Sequence, residues 1–508
     1  MSKRVGLAFA ALLFTAGAAS ATAMAPPTPN TSLDVERHLL LEASKKFKAD
    51  DSPGAAPLLK AAIASPAFAK LNDDQRYIVL TAYGTVLLQT EDSAGALVQL
   101  RAATGFSQAD GAVWSLRFLA AQTSGNLEDA LLSLTTLGQR WPEALASLPD
   151  ESIYYVARDT RTRRPLASGR IALLEALDRA DWTPKNIDIS VDHLWMDLTL
   201  ALLDRGEADK AGAVARKVVD PENIADMRVD RRFDPVTTKD PAWFDVGATS
   251  ERRMQFLTAA SKAAPDSLAG VTVTARLLLA EARTPEVVAL LDGAIKRTQA
   301  EGAAPFTDQD AELHVTYDIL SAALLLQGRD EESIAAMQAG ARLREQGQTN
   351  VSQQLDLGVR YVELGRPDDA LAAVSSVDLG NVSGFGRTVL ETIHAMASAA
   401  KKDGPATAAA VSYLKAHADD SPVNLVEVLA VVGDDEGAAQ QTIKLLADPL
   451  DRREILSLMQ DAITPDAEPE FDKALRRKIV ALRDRPDVKA AIARVGRIER
   501  RPLLGDRL

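Results

Sequence analysis

The chain has 508 residues, 46% of them hydrophobic and only 5% aromatic, with alanine and leucine dominant, an ordered and helix-favouring composition that excludes a disordered chain. Its formal net charge of -13 excludes broad nucleic-acid binding, because a polyanion is repelled over most of the surface. The absence of cysteine excludes disulfides, thiolate metal ligands and a lipidated N-terminal cysteine.

At the N-terminus Lys3 and Arg4 precede an apolar run from Val5 to Ala19, the pattern of a secretory signal peptide over residues 1–23. Cleavage is expected after Ala19-Ser20-Ala21 or Ala21-Thr22-Ala23, both small-x-small. The run is shorter than the roughly 20 residues that a spanning helix needs. Later apolar stretches, Ile319 to Leu326 and Leu425 to Val432, suit buried helix turns, so the mature chain is expected to lack a transmembrane span and to be periplasmic or secreted.

Beyond the signal, one phrase recurs: an apolar helix ends at glycine, acidic residues open the next helix, and a small residue follows. It stands at Gly125 to Ala130, Gly206 to Ala211, Gly328 to Ser333, Gly365 to Ala370 and Gly433 to Ala438. Glycine suits a left-handed helix end, carboxylates suit the next helix's N-terminus, and the small side chain lets two helices approach. The phrase therefore predicts helical hairpins.

On these residues the chain resembles the tetratricopeptide repeat family, whose unit is a pair of antiparallel helices of about 34 residues. In the clearest copy Leu357-Gly358, Tyr361, Gly365, Ala370 and Val374 fall at the family's large-small, aromatic, turn, small and large positions. Trp114, Ala130, Leu134 and Pro142 mark a second copy, Gly84, Ala96 and Leu100 the one before it, and Trp195, Leu202, Gly206 and Ala211 another. Around Leu278, Val287, Leu291 and Ala294 only the small and large alternation survives, and Ser321 and Ser333 replace the small residues of the next unit. The resemblance implies an all-α fold, an α-solenoid of degenerate hairpins in two stacks with a C-terminal helical cap; the competing reading is an irregular helical bundle.

Met227 to Val246 breaks the pattern, with Arg231-Arg232-Phe233-Asp234-Pro235 and Asp240-Pro241-Ala242-Trp243-Phe244 too rich in proline and aspartate for one helix. The organisation expected is an N-terminal array over 33–226, a connector or cap over 227–250 plugged by Phe233, Trp243 and Phe244, and a second array over 251–465. A basic cap over 466–508 completes it. In this last part Phe471, Leu475, Ile479 and Leu482 form one amphipathic stripe and Val488, Ile492 and Val495 the next, divided at Arg485-Pro486. Its basic face could meet an anionic surface, or be a solvated face only.

No catalytic constellation emerges. His38, His193, His314, His394 and His417 stand far apart with no second ligand at helical spacing, so neither a metal site nor a cofactor is expected. Asp308 to Glu312 lacks the glycine of a calcium loop and reads as a helix N-cap. The paired acids at Asp50, Asp73, Asp368, Asp419 and Asp434 suit helix starts, and Gly380 to Gly386 lacks the lysine of a phosphate loop. Ser412-Tyr413-Leu414-Lys415 matches S-x-x-K without its companion motifs. Ser457-Leu458-Met459-Gln460 is similar to part of an element of lytic transglycosylases, but no nearby Glu-Ser pair supplies their acid.

The expectation is thus a non-enzymatic scaffold that grips a protein segment of the cell envelope in its concave groove. By analogy with the family, the first-helix residues Thr85, Gln89, Ser115, Gln122, His193, Asp204, Asp356 and Glu363 look into that groove. They are neutral or acidic and lack the basic clamp that some relatives use on C-terminal carboxylates, so a polar, apolar or basic target is expected. Alternatives are an accessory in assembly or export of a cell-surface polymer and, more remotely, a peptidoglycan-cleaving enzyme.

Overall fold

The computed structural model describes residues 32–300, 305–345 and 348–504. The expected signal segment, residues 1–23, lies outside the described residues, as do Asp506 and Arg507 of the basic tail. Two compact units divide between Leu194 and Trp195. No helix among the described residues is long and apolar enough to cross a membrane.

The first unit is built of helical hairpins: α1 (Ser32–Lys48) with α2 (Ser52–Ala64), α3 (Asp73–Gln89) with α4 (Ser93–Ala103), and α5 (Gly111–Thr123) with α6 (Leu127–Arg140). A short α7 (Pro142–Leu145) leads to α8 (Asp150–Asp159) and α9 (Ala167–Arg179), and α9 packs on α6. Local chemistry sets the helix starts. The carboxylates of Asp51 and Asp92 accept from the backbone N–H of Gly54 and Gly95, and Asn72 with Gln75 forms a complete capping box at the start of α3. Leu59, Leu100, Phe118, Leu134, Leu137 and Leu173 are fully buried between the helices, each contributing about 2 kcal/mol of apolar burial.

A further helix, α10 (Asp192–Asp204), crosses the division, and α11 (Ala208–Ala215), α12 (Pro221–Val229) and the short α13 (Asp234–Thr237) follow. In the second unit α14 (Val246–Ala263) precedes five hairpins. These are α15 (Leu268–Ala280) with α16 (Thr284–Thr298), α17 (Gln309–Leu325) with α18 (Asp330–Ala341), α19 (Val351–Glu363) with α20 (Pro367–Val374), α21 (Gly384–Ala400) with α22 (Gly404–Ala416), and α23 (Pro422–Val432) with α24 (Asp435–Ala447). A minimal antiparallel ribbon, β1 (Arg344–Glu345) with β2 (Gln348–Thr349), sits between the second and third. The first helices pack side by side, α15 on α17, α19 on α21 and α21 on α23, as a stacked array requires. The fold is the all-α array of tetratricopeptide-like hairpins that the recurring phrase predicts.

The five glycines of that phrase, Gly125, Gly206, Gly328, Gly365 and Gly433, all have positive φ, the left-handed geometry that ends a helix without a Cβ clash. Close approach is also read correctly. A Cβ on Gly358 of α19 would lie 2.7 Å from Val374 of α20, and one on Gly84 of α3 would lie 2.5 Å from Leu100 of α4.

The stretch 227–250 lies inside the second unit. It is not one helix, as its prolines require: α12 ends at Val229, a 3-10 turn covers Arg231–Phe233, and α13 follows. Phe233 and Phe244 are almost fully buried. Trp243 is half-buried, with the guanidinium carbons of Arg252 and Arg216 at 4.5 and 5.9 Å from its ring centroid.

The chain after the last hairpin runs through α25 (Arg452–Leu458), β3 (Asp461–Ile463), α26 (Glu470–Arg483), α27 (Pro486–Val495) and β4 (Arg500–Leu504), with β3 and β4 parallel. The two helices divide at Arg485-Pro486 as the sequence predicts. Ile479 and Leu482 of one and Val488, Ala491 and Ile492 of the other are buried in the same core as α19 to α24.

Candidate interaction faces

In a stack of hairpins the first helices line one face. In the first unit Thr85 of α3 is buried and donates its hydroxyl to Thr81 O at 2.9 Å, and buried Ser115 of α5 donates to Gly111 O at 2.8 Å. Both hydroxyls serve their own helix. Gln89 is exposed and accepts from Ser52 Oγ at 2.5 Å, and Gln122 is half-exposed.

His193 stands edge-on to Tyr154, ring centroids 5.6 Å apart. Around that contact lies a cluster that sequence reasoning missed. Tyr154 and Tyr155 of α8 are 5.7 Å apart, and the Arg158 guanidinium lies 5.7 and 4.8 Å from their ring centroids. Tyr155 is 44% exposed. Tyrosine and arginine presented together on a rigid helix are the residue types that dominate binding energy at protein interfaces. The adjacent tyrosines, in a chain with only seven, were the available signal.

In the second unit the first helices carry a buried polar ladder. On α15 the Thr272 hydroxyl donates to Glu312 Oε2 of α17 at 3.1 Å. On α19 the Gln353 amide donates to Asp356 Oδ2 at 3.3 Å, and Arg360 Nη1 donates to Glu363 Oε2 at 2.7 Å. Gln353, Arg360 and Glu363 are buried. Burial, reinforced by the nearby Asp318 carboxylate and opposed by Arg360, pushes the Asp356 carboxyl up to about 7. Burial likewise raises Asp318 of α17, against the pull of Arg360, Arg276 and His314. Asp356 and Glu363 thus share one helix and one network. Asp204 is exposed at the end of α10.

The tail adds a cavity of about 120 Å³ between α23, α25, β3 and α26, lined by Glu427, Met459, Ile463, Leu475, Ile479 and Arg501 among others. A second, more polar cavity of about 190 Å³ is lined by Glu222, Asp226, Arg453 and Leu503 and shares Ser457 and Arg501 with the first. Ser457-Leu458-Met459-Gln460 therefore borders a cavity, yet Gln460 is fully committed: its amide donates to Leu456 O and Arg497 O, and its carbonyl oxygen accepts from Glu499 N. Ser412 and Lys415 lie on an exposed face of α22, where Lys415 pairs with Asp434 at 2.9 Å.

Of the acids noted in the sequence, Asp73 and Asp368 lie in the first turns of α3 and α20, while the residue before α2 that caps it is Asp51, next to Asp50. Asp434 caps α24 through Gly437 N–H. Asp308, at the start of α17, turns its carboxylate to the neighbouring helix instead, accepting from Ser267 Oγ and the N–H groups of Leu268 and Ala269 at the start of α15. Much of the tail's positive charge is also spent internally: Arg476 pairs with Glu468, Arg483 with Asp461, Arg485 with Glu436 and Asp487, Arg497 with Asp234 and Arg501 with Asp226.

These faces define an all-α helical-repeat protein with polar first-helix surfaces. No protein-family model and no curated protein matches the chain. Among solved structures it is similar to a tetratricopeptide repeat protein from Parabacteroides merdae, at 15% identity over 64% of this chain and 98% of that one, with a TM-score of 0.27. It is also similar to the APC/C hetero-tetramer Cut9-Hcn1, at 14% identity over 97% and 93% with a TM-score of 0.30, and to yeast Tom70, at 10% identity over 91% and 100% with a TM-score of 0.24.

Proposed function

We propose that this chain is an exported protein-protein interaction scaffold that holds a segment of an envelope partner against the first-helix faces of its hairpins. The observation that carries the reading is the Tyr154, Tyr155, Arg158 and His193 cluster on the first unit, in which Tyr155 and Arg158 are exposed and Tyr154 and His193 partly buried. It offers rigid aromatic contact area with a cation and a half-exposed imidazole beside it, at little entropic cost. Export rests on the basic and apolar pattern of residues 1–23. The exposed cations Arg477, Lys489 and Arg494 are those that a contact with an anionic surface would use. No catalytic role is assigned.

The test is a photo-crosslinking amino acid placed at Gln89, Gln122 or Tyr155 in the producing cell, followed by fractionation. The expected result is an envelope-fraction adduct with one protein, lost when Tyr154 and Arg158 are both changed to alanine. Recovery of polysaccharide in place of a protein would favour the polymer-accessory role, and a cytoplasmic location would overturn export.

A further inference from the structure

The helix α26 does not extend the array. It packs most closely on the first helix α23, and it also touches α24, the partner of α23, and α19, the first helix two hairpins earlier. The segment leading into it passes the turn after α17, where a Cβ on Gly328 would be 3.3 Å from Ala467. Its Lys478 Nζ donates to Ala430 O and Val431 O, the carbonyl end of α23, at 2.8 and 3.2 Å, where a cation is favoured by the helix dipole. A helix laid across the first helices of a solenoid occupies the place that a partner segment would take.

Its seating is looser than that of the helices beneath it. Of its 14 residues only Ile479 and Leu482 are buried, whereas six of the 11 in α23 are. The 120 Å³ cavity lies directly under it, with Leu475, Ile479 and Val480 on one wall and Glu427 and Met459 opposite. A cavity at this contact leaves room for a larger apolar side chain than Leu475 or Ile479 to bury more surface there. Both flanks are anchored independently. On one side β3 pairs with β4, and on the other α27 buries Val488, Ala491 and Ile492 and Arg485 bonds Glu436 of α24. Proline stands at both junctions, Pro469 and Pro486, so the backbone of α26 is not continued into either flank, and Arg483 is its side-chain tie to Asp461 of β3.

We propose that α26 is a built-in occupant of the second unit's inner groove, and that the partner taken there is an amphipathic basic helix that displaces it. This deepens the scaffold reading and rests on it. The contacts of α26 specify the ligand: apolar side chains spaced as Phe471, Leu475, Ile479 and Leu482, larger ones standing where Leu475 and Ile479 border the cavity, and a cation immediately before the third, placed to reach the carbonyls of Ala430 and Val431. Glu427 of α23 borders the cavity beneath α26, an acidic group for a basic helix to meet.

The probe is a fluorescent synthetic peptide of residues 466–485, titrated into the full chain and into its Ile479→Asp variant. A tethered competitor acts at millimolar effective concentration, so the variant is expected to bind the peptide at least about tenfold more tightly than the wild type. A peptide carrying Ile479→Asp and Leu482→Asp is expected not to bind. Equal affinities, or no binding by a variant whose circular dichroism is native, would overturn the proposal. Should the variant fail to fold, hydrogen exchange of the wild-type chain decides. Amides of α26 exchanging at least about tenfold faster than those of both α23 and α27 support displacement, and equal protection sinks it. The outcomes separate the two readings. Peptide refusal with intact crosslinking at the first unit removes this inference alone, and peptide binding without an envelope adduct removes the scaffold reading alone.

Discussion

Arg501 and Asp226 stand 275 positions apart in the chain and meet at 2.7 Å, joining β4 at the end of the second unit to α12 near its start. Around them Arg497 N–H donates to Val229 O at 3.0 Å, Arg231 Nε to Gly496 O at 3.2 Å, and Arg228 pairs with Glu499 at 3.0 Å. A Cβ on Gly496 would fall 2.7 Å from Val229 O, so only glycine allows this approach. The second unit is therefore a stack whose last strand returns to its beginning, and repeats that would otherwise touch only their neighbours become one cooperative body.

The Arg501 pair is nearly dry, its side chains 8% and 13% exposed. Arg501→Met removes the guanidinium from Asp226 and from Ser457 Oγ, which it holds at 2.9 Å, and is expected to cost about 3 kcal/mol. Because a buried carboxylate keeps its desolvation cost when this cation is removed, Arg501→Met with Asp226→Leu is expected to recover more than half of it. Urea unfolding of both variants checks this; equal losses would mean that the pair's own attraction, not the desolvation of Asp226, sets the cost.

The hairpin turns give a prediction of opposite sign at two kinds of position. Besides the five glycines, Asp50, Glu91, Asp181, Ala282 and Lys402 also have positive φ. A left-handed residue with a Cβ costs roughly 1–2 kcal/mol, while glycine's extra unfolded-state entropy costs roughly 0.5–1. Glu91→Gly, Ala282→Gly and Lys402→Gly are therefore each expected to stabilise by about 0.5–1 kcal/mol. Gly365→Ala, with nothing within 4 Å of its added methyl, should lose about 1 kcal/mol from conformation alone. Thermal unfolding of the four variants measures both signs.

That difference also explains what the sequence made legible. Hairpins whose turn carries glycine, α5/α6, α17/α18, α19/α20 and α23/α24, announce themselves locally. Those turning at Glu91, Ala282 or Lys402 offer only a weaker alternation of apolar and small residues. The amphipathic stripes of α26 and α27 and their break at Arg485-Pro486 were readable because they are periodic. Their destination was not: β4 pairs with β3, and Arg497 and Arg501 reach Asp234 and Asp226, through partners too remote in the chain to leave a local signal. In the same way Thr85 and Ser115 carry the right spacing for a lining role, but a hydroxyl on a helix can bond its own preceding turn, a choice that spacing does not record.

In the first unit Asp129 of α6 is buried and accepts from Arg101 Nε at 2.6 Å and from Arg117 Nε at 2.7 Å. Burial alone would raise its carboxyl; the Arg117 and Arg101 hydrogen bonds outweigh that and hold it below the usual carboxylate value. A lowered native value means that its contribution is present above the unfolded value near 3.8 and disappears as pH falls through the native one. Asp129→Ala removes the carboxylate from exposed Arg101 and from mostly buried Arg117, which keeps Thr104 Oγ1, and is expected to cost about 2 kcal/mol at neutral pH, with the difference from wild type shrinking in acid. Hydrogen exchange of α5 and α6 reports it; a difference that did not shrink would assign the loss to packing.

Asp356 predicts the reverse. Its carboxyl, raised from 3.8 to about 7 by burial first and by Asp318 second, keeps in the folded chain a proton that the unfolded chain has already released. Across that window the unfolded state binds fewer protons, so rising pH favours unfolding. The group's contribution is full below the unfolded value and is lost as pH climbs through about 7. An amide cannot ionise, so Asp356→Asn should match the wild type at about pH 4 and become progressively more stable relative to it towards about pH 8, by at most about 1.4 kcal/mol per pH unit. Its carbonyl oxygen still accepts from Gln353, whose amide donates to Asp356 at 3.3 Å, so the ladder's geometry is kept. Urea unfolding across that range, followed by exchange of the α19 amides, measures the slope. A wild-type-minus-variant difference independent of pH would mean that Asp356 is ionised throughout in the folded chain and that Arg360 outweighs its burial.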